Sequence, residues 1–147
     1  MSTVISAEPS RVWRALTTPD ELVAWDERIL APVRPLTGYP EQGQDVQWRY
    51  RIGHVQLVMH DRPLEVLSPE RLKRTIRVGT LRYEQTFSLM NERIDPPLTR
   101  LSMKSVASNS VPVLGGDVVD RFEVRRMTTE HVDETLRSVR EWCEQGP

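Results

Sequence analysis

The sequence predicts an α+β fold: a curved antiparallel sheet of about seven strands wrapped around a long C-terminal helix, with two short helices after the first strand. Three observations carry this expectation. Residues 46–59 and 72–87 alternate apolar with polar side chains about central glycines. Two proline-marked helical segments follow directly on Val4-Ile5, and apolar residues recur at helical intervals from Val118 to Val139.

Each element follows from local chemistry. Val4-Ile5 is a short apolar run, and Ser6-Ala7-Glu8-Pro9 hands the chain to a helix, with Ser6 as the expected acceptor for its first amides. Val12, Trp13 and Leu16 hold helical spacing until Pro19 disfavours helical geometry at Thr18. A second helix begins there, since Thr18-Pro19-Asp20-Glu21 places a hydroxyl at the N-cap, proline in the first turn and glutamate at the capping-box position.

After Trp25, the Gly38-Tyr39-Pro40 and Gln42-Gly43 loop leads into Val46, Trp48, Tyr50 and Ile52, which alternate with Gln47, Arg49 and Arg51. A two-residue turn at Gly53-His54 sets Ile52 opposite Val55, Tyr50 opposite Leu57 and Trp48 opposite Met59. A second turn at Gly79-Thr80 sets Val78 opposite Leu81, Ile76 opposite Tyr83, Arg74 opposite Gln85 and Leu72 opposite Phe87. Pro63 cannot donate to a ladder and marks an edge or a bulge, so the parity beyond it stays open. Ser68-Pro69-Glu70 is a turn, Asn91 to Pro97 reads as a polar loop, and Leu101, Met103 and Ser105 alternate in a last strand. Asn109 to Gly116 contains a proline and two glycines, and Asp117 is the expected N-cap of a helix running to Glu144.

At 147 residues and 17.0 kDa the chain is the size of one domain, residues 1–147. A mean hydropathy of −0.47 and the absence of any long apolar stretch exclude a membrane-inserted helix. Twenty basic against 21 acidic residues leave a formal charge of −1 and no net attraction to nucleic acid. Lys73 and Lys104 are the only lysines, so Arg dominates, a bias spread along the chain. The single Cys143 rules out an internal disulfide. The N-terminal residues carry no basic and apolar leader pattern, so a cytoplasmic location is expected. No partner interface is legible, although a homodimer is compatible with the sequence.

The segment Ile5-Ser6-Ala7-Glu8-Pro9-Ser10-Arg11-Val12-Trp13-Arg14-Ala15-Leu16-Thr17-Thr18-Pro19-Asp20-Glu21-Leu22, running on to Trp25, resembles the opening of the START-related polyketide cyclase/dehydrase and lipid-transport superfamily (SRPBCC). Leu64 to Leu72, Leu98-Thr99-Arg100-Leu101 and His131 to Leu136 resemble its hairpin, penultimate element and terminal helix. The resemblance spans nearly the whole chain and implies the helix-grip fold, with a cavity between sheet and C-terminal helix. It implies an apolar or amphipathic small molecule, lipid or polyketide-like, as partner. Two alternatives come with it: a polyketide cyclase or dehydratase using the same cavity, and an interaction module like the activators of the heat-shock chaperone ATPase. Whether the chain is an enzyme is left open.

The hairpin registers put Trp48, Tyr50, Leu57 and Met59 on one inner face with Ile76, Tyr83 and Phe87. Leu101 and Met103 continue it, facing Phe122 on the helix, a lining suited to an apolar ligand. Arg74 and Gln85 share that face, as does Asp61 if the bulge follows it. Asp61 or Glu65 can pair with Arg74, or Arg74 can hold a ligand carbonyl, enolate or carboxylate. A cyclase would use Asp61 as base and Arg74, Tyr83 or Tyr50 as donor to the developing enolate oxygen. Arg125, in the inward helical stripe beside Arg121 and Arg126, is a candidate for an acidic head group at the cavity mouth. The 109–116 loop is a candidate lid, with Gly115-Gly116 as its hinge. His54, His60 and His131 form no ligand pattern, so neither a metal nor a cofactor is expected.

Overall fold

Alternation and glycine turns build the sheet as the sequence predicts. The computed structural model describes residues 1–107, the backbone of 113–114, 117–118 and 121–127, and residues 128–145. β1 (Ser2–Ile5) leads through α1 (Pro9–Thr17) and α2 (Pro19–Trp25) to β2 (Ile29–Pro32), β3 (Val46–Ile52) and β4 (Val55–Leu67). β5 (Arg71–Val78), β6 (Leu81–Arg93) and β7 (Leu98–Ala107) complete an antiparallel seven-stranded sheet in the order β1-β7-β6-β5-β4-β3-β2. The short strands β8 (Val113–Leu114) and β9 (Asp117–Val118) pair with each other, and α3 (Arg121–Glu144) closes the chain.

Both hairpin registers are as expected: Trp48 pairs with Met59 and Tyr50 with Leu57, while Arg74 pairs with Gln85 and Leu72 with Phe87. Gly53 and Gly79, with φ of 59° and 58°, supply the left-handed backbone that both turns require. The irregularity at Pro63 is a bulge between Pro63 and Glu65, after Asp61, so Asp61 keeps the inward parity of Met59. β2 is the element the pattern does not announce, because four residues at a sheet edge are too few to show alternation.

Three boundaries differ from expectation. α1 is capped at Glu8 without a side-chain cap bond, and Ser6 instead donates its amide to Glu144 Oε1 at 3.0 Å, which fastens β1 to the end of α3. Thr18 does stand at the N-cap of α2, but without a capping hydrogen bond. Glu21 is taken by tertiary partners: its carboxylate accepts from Arg11 at 2.7 Å, Arg14 at 3.2 Å and Trp142 Nε1 at 2.8 Å, joining all three helices. Strand β6 runs on to Arg93 through a bulge at Asn91/Arg93, because polar residues at a solvated strand end still pair with β7, and the loop shrinks to 94–97. α3 begins at Arg121 rather than at Asp117: Asp117 pairs with Leu114 across two intervening residues, the spacing of a tight hairpin, which competes with the helix. The remainder of the 109–116 loop, Gly115-Gly116 included, lies outside the described residues, so its expected lid role does as well.

The 24 residues of α3 span about 36 Å, enough to cross the sheet. Val132, Leu136, Val139 and Cys143 face inward and pack with Ile5, Val12, Leu16, Leu72, Phe87 and Leu101. A second apolar cluster lies under β3, β4 and β5, built on Leu22, Ile29, Trp48, Tyr50, Met59 and Ile76. No described helix is long and apolar enough to cross a membrane.

Candidate functional site

Three neighbouring strands each turn one polar side chain inward: Arg74 from β5 stands opposite Gln85 from β6, and Asp61 from β4 lies diagonally across from Arg74, opposite Ile76. All three are buried, at 1%, 6% and 4% exposure. A charge in such a place must be paired, because water no longer solvates it. Arg74 donates to Asp61 Oδ2 at 3.0 Å, to the Tyr39 hydroxyl at 2.9 Å, and through its other terminal nitrogen to Gln85 Oε1. Asp61 Oδ2 also accepts from Tyr39 at 2.6 Å and from Trp48 Nε1 at 3.1 Å. Of the two partners left open for Arg74, Asp61 is the one used; Glu65 lies beyond the bulge and meets Arg71 at 3.5 Å.

Tyr39 reaches this pair from the loop between β2 and β3. Gly38, at φ 69°, bends the chain just before it, and Gly43 donates its amide to Pro63 O at 2.8 Å, which ties the loop to the bulge of β4. The Tyr39 ring stands edge-on to Trp48, with centroids 5.5 Å apart and planes at 85°. Burial pushes the Tyr39 hydroxyl well above its ordinary range, so it remains a protonated donor. For Arg74, burial works against the charge, yet the opposing Asp61 and Tyr39 outweigh it and hold the guanidinium protonated. Two polar atoms of this group, Asp61 Oδ1 and Arg74 Nε, are buried without a hydrogen-bond partner among the described residues.

A second polar group lies towards α3. Arg28, just before β2, donates to His131 Nδ1 and to Glu134 on α3, and Tyr50 and Asp26 favour its charge. Burial, then the charge of Arg28, lowers His131 to about 4, so at neutral pH the ring is uncharged and its Nδ1 accepts. Asp26 Oδ1 accepts from the Arg28 amide at 3.0 Å, and burial raises its carboxyl above the usual range. Tyr83 is raised by burial and by Tyr50, and its hydroxyl feels both Arg74 and Arg28. Tyr50 is raised by burial and then by Asp26. These two phenols therefore link the fields of the two arginines. The arrangement can donate hydrogen bonds from neutral phenols and hold one anionic or carbonyl oxygen near Arg74.

Of the residues singled out from the sequence, Trp48, Tyr50, Met59, Phe87 and Met103 are buried on the inner face and Tyr83 is half-buried there. They are not one lining: Phe87 and Met103 belong to the cluster under α3, while Trp48, Tyr50 and Met59 belong to the other. Arg74 lies between, with its Cζ 6.0 Å from the Phe87 ring centroid. The side chains of Phe122 and Arg125 lie outside the described residues. Tyr39, Arg28, Asp26 and His131 are functional candidates that periodicity does not reveal. A separate cleft of about 450 Å³ opens between the end of α2 and α3, with Trp25, Asp26, Arg28, Glu134 and Trp142 in its walls. No cluster of His, Cys, Asp or Glu suited to a metal occurs among the described residues.

No protein-family model and no curated protein matches the sequence. Solved structures do. A START superfamily protein from Mycobacterium smegmatis superposes with a TM-score of 0.71 at 10% identity, over 99% of this chain and 95% of that one. Ara h 8.0201 does so with a TM-score of 0.68 at 12% identity, over 99% and 96%. DynU16, from the dynemicin biosynthetic locus, gives a TM-score of 0.66 at 16% identity, over 95% of this chain and 45% of that one. The order of elements and these likenesses together show that the chain has the START-like helix-grip fold.

Proposed function

We propose that the protein binds an amphipathic small molecule, lipid or polyketide-like, between the sheet and α3. Its apolar body packs on Trp48, Tyr50, Met59, Phe87 and Met103. Its polar end meets Arg74, Gln85 and Asp61. The observation that carries this reading is the pair of orphaned atoms Asp61 Oδ1 and Arg74 Nε, an unused acceptor and an unused donor on adjacent strands. Buried polar atoms are ordinarily satisfied, and a ligand group with both a hydrogen-bond donor and an acceptor satisfies both. The fold supports hydrophobic ligand binding in general, as in START-like proteins.

Native mass spectrometry of freshly purified protein, compared with its denatured mass, tests this directly. A non-covalent mass excess is expected, and the double variant Asp61→Leu/Arg74→Met should lose it while keeping the far-ultraviolet spectrum of the folded protein. A bare polypeptide mass, unchanged after incubation with fatty acids, quinones and polyketides, sinks the proposal. A cyclase or dehydratase is the second reading, favoured by Tyr50 and Tyr83 standing as protonated phenols beside Arg28 and Arg74. In that case Asp61→Asn lowers kcat more than KM, whereas a pure binder keeps its affinity.

A further inference from the structure

We propose that the outward face of the β3–β4 hairpin and of its neighbours β5 and β6 docks on an anionic lipid bilayer. Inward parity takes Trp48, Tyr50 and Asp61 into the core, and so leaves Gln47, Arg49 and Arg51 of β3 facing out with Gln56, Val58, His60 and Arg62 of β4. That set contains no carboxylate. On β5 and β6 the outward residues add Arg77 and Arg82, which stand directly opposite each other in the ladder. Like charges so placed weaken a sheet. Of the acids on this face, Glu84 lies 3.7 Å from Lys73, Glu65 lies 3.5 Å from Arg71, and Glu92 at the far end of β6 is paired with Arg100. A face on which Arg49, Arg51, Arg62, Arg71, Arg77 and Arg82 are all exposed, on a chain of formal charge −1, is a local concentration of positive charge that overall composition conceals.

The shape of the hairpin selects the partner. β5 ends opposite Met59 at Val78, and β2 ends opposite Tyr50 at Ile29, so residues 52–57 project beyond both neighbours. From Met59 to Val55 the arm extends about 13 Å. Ile52 and Val55 at its tip keep the inward parity of Tyr50 and Leu57 but lie past the end of the core, 53% and 58% exposed, while Val58, 42% exposed, stands on the outward face beside the arginines. Apolar side chains at a tip flanked by Arg49 and Arg51 match a bilayer surface, where aliphatic groups enter the acyl boundary and guanidinium groups meet lipid phosphates. Nucleic acid fits less well. No Trp, Tyr or Phe stands on the outward face of β3–β6 to stack on bases, and exposed aliphatic residues gain nothing from a phosphate backbone. The inference holds whatever occupies the interior.

The test is co-sedimentation of the full chain with vesicles of phosphatidylcholine alone and of equimolar phosphatidylcholine and phosphatidylglycerol. Binding is expected only to the mixed vesicles, and should weaken as salt rises. Arg49→Glu/Arg51→Glu should reduce it by at least about tenfold, given roughly fivefold for each charge lost at the surface. Ile52→Ser/Val55→Ser should also reduce it, without changing the salt dependence. The control Arg137→Glu/Arg140→Glu changes net charge equally on α3 and should bind as the unaltered protein does. The proposal is overturned by absence of binding to the mixed vesicles, by an equal loss in the α3 control, or by retention on duplex DNA in place of vesicles.

Discussion

The two halves of the inner face are built on different principles. Beneath α3, the cluster of Ile5, Leu72, Phe87 and Leu101 is built of apolar side chains, and each fully buried side chain of this kind contributes about 1.5–3 kcal/mol. Beneath β3 and β4, the cluster around Trp48 and Met59 borders a band of Asp61, Arg74 and Gln85, whose burial costs several kcal/mol per ion before pairing. The first half is what a fold needs to be stable. The second carries polar groups that stability alone does not require, and two of their atoms are left unsatisfied. Function is therefore to be sought in the second half.

The largest expected effect separates the halves by whether a second substitution restores stability. Arg74→Met strands a buried carboxylate and should cost about 3–5 kcal/mol by urea denaturation. Adding Asp61→Leu removes that charge, so the double variant should recover most of the loss, short of about 1–3 kcal/mol for the partnerless Tyr39 and Trp48 donors. In the apolar half, Leu101→Ala should cost about 2–5 kcal/mol through the cavity it leaves, and no deletion of a neighbour restores it. If the double variant is no more stable than Arg74→Met, the distinction between the halves fails.

The sequence made the polar band readable because hairpin parity is a local property. Once Gly53 and Gly79 fix the turns, the facing of Arg74, Gln85 and Asp61 follows from counting by twos, and only the position of the Pro63 bulge needed the structure. The rest of the site escaped for physical reasons. Tyr39 sits in a loop whose course is set by the Gly43–Pro63 bond rather than by periodicity. Arg28 and His131 are 103 residues apart and meet only because the turn between α2 and β2 lies against α3. Glu21 shows the same limit in reverse: its local capping pattern is correct, yet the tertiary partners Arg11 and Trp142 outcompete the cap.

His131 gives the next effect in size. Its folded value near 4 lies below the ordinary 6.5, so between these limits the unfolded chain binds a proton that the folded protein excludes. Stability is full above pH 6.5 and falls as the pH drops towards 4, by about 2 kcal/mol between pH 7 and pH 5. Asp26, raised in the fold, acts in the opposite sense, since acidification relieves its buried charge. Denaturation curves of His131→Gln at both pH values isolate the histidine: the variant should lose the acid-dependent drop, and an unaltered slope would mean that the ring is not held neutral. At one fixed pH, Glu21→Ala should cost about 1.5–3 kcal/mol, because three donors on α1 and α3 lose a partly buried charged acceptor.

The smallest effect sharpens the opening contrast most, because it uses the same chemistry. Arg137 donates to Asp133 at 2.8 Å, closer than the 3.0 Å between Arg74 and Asp61. Distance alone would rank the helix pair higher. Its side chains, however, are 63% and 55% exposed, so water and salt screen the attraction and two mobile side chains must be ordered to make it. Arg137→Ala should therefore change stability by no more than about 0.5 kcal/mol, and that change should shrink further in added salt. Arg74→Met should barely respond to salt. A comparable cost at both sites would show that pairing itself, rather than the removal of solvent around Asp61, makes the inner pair consequential.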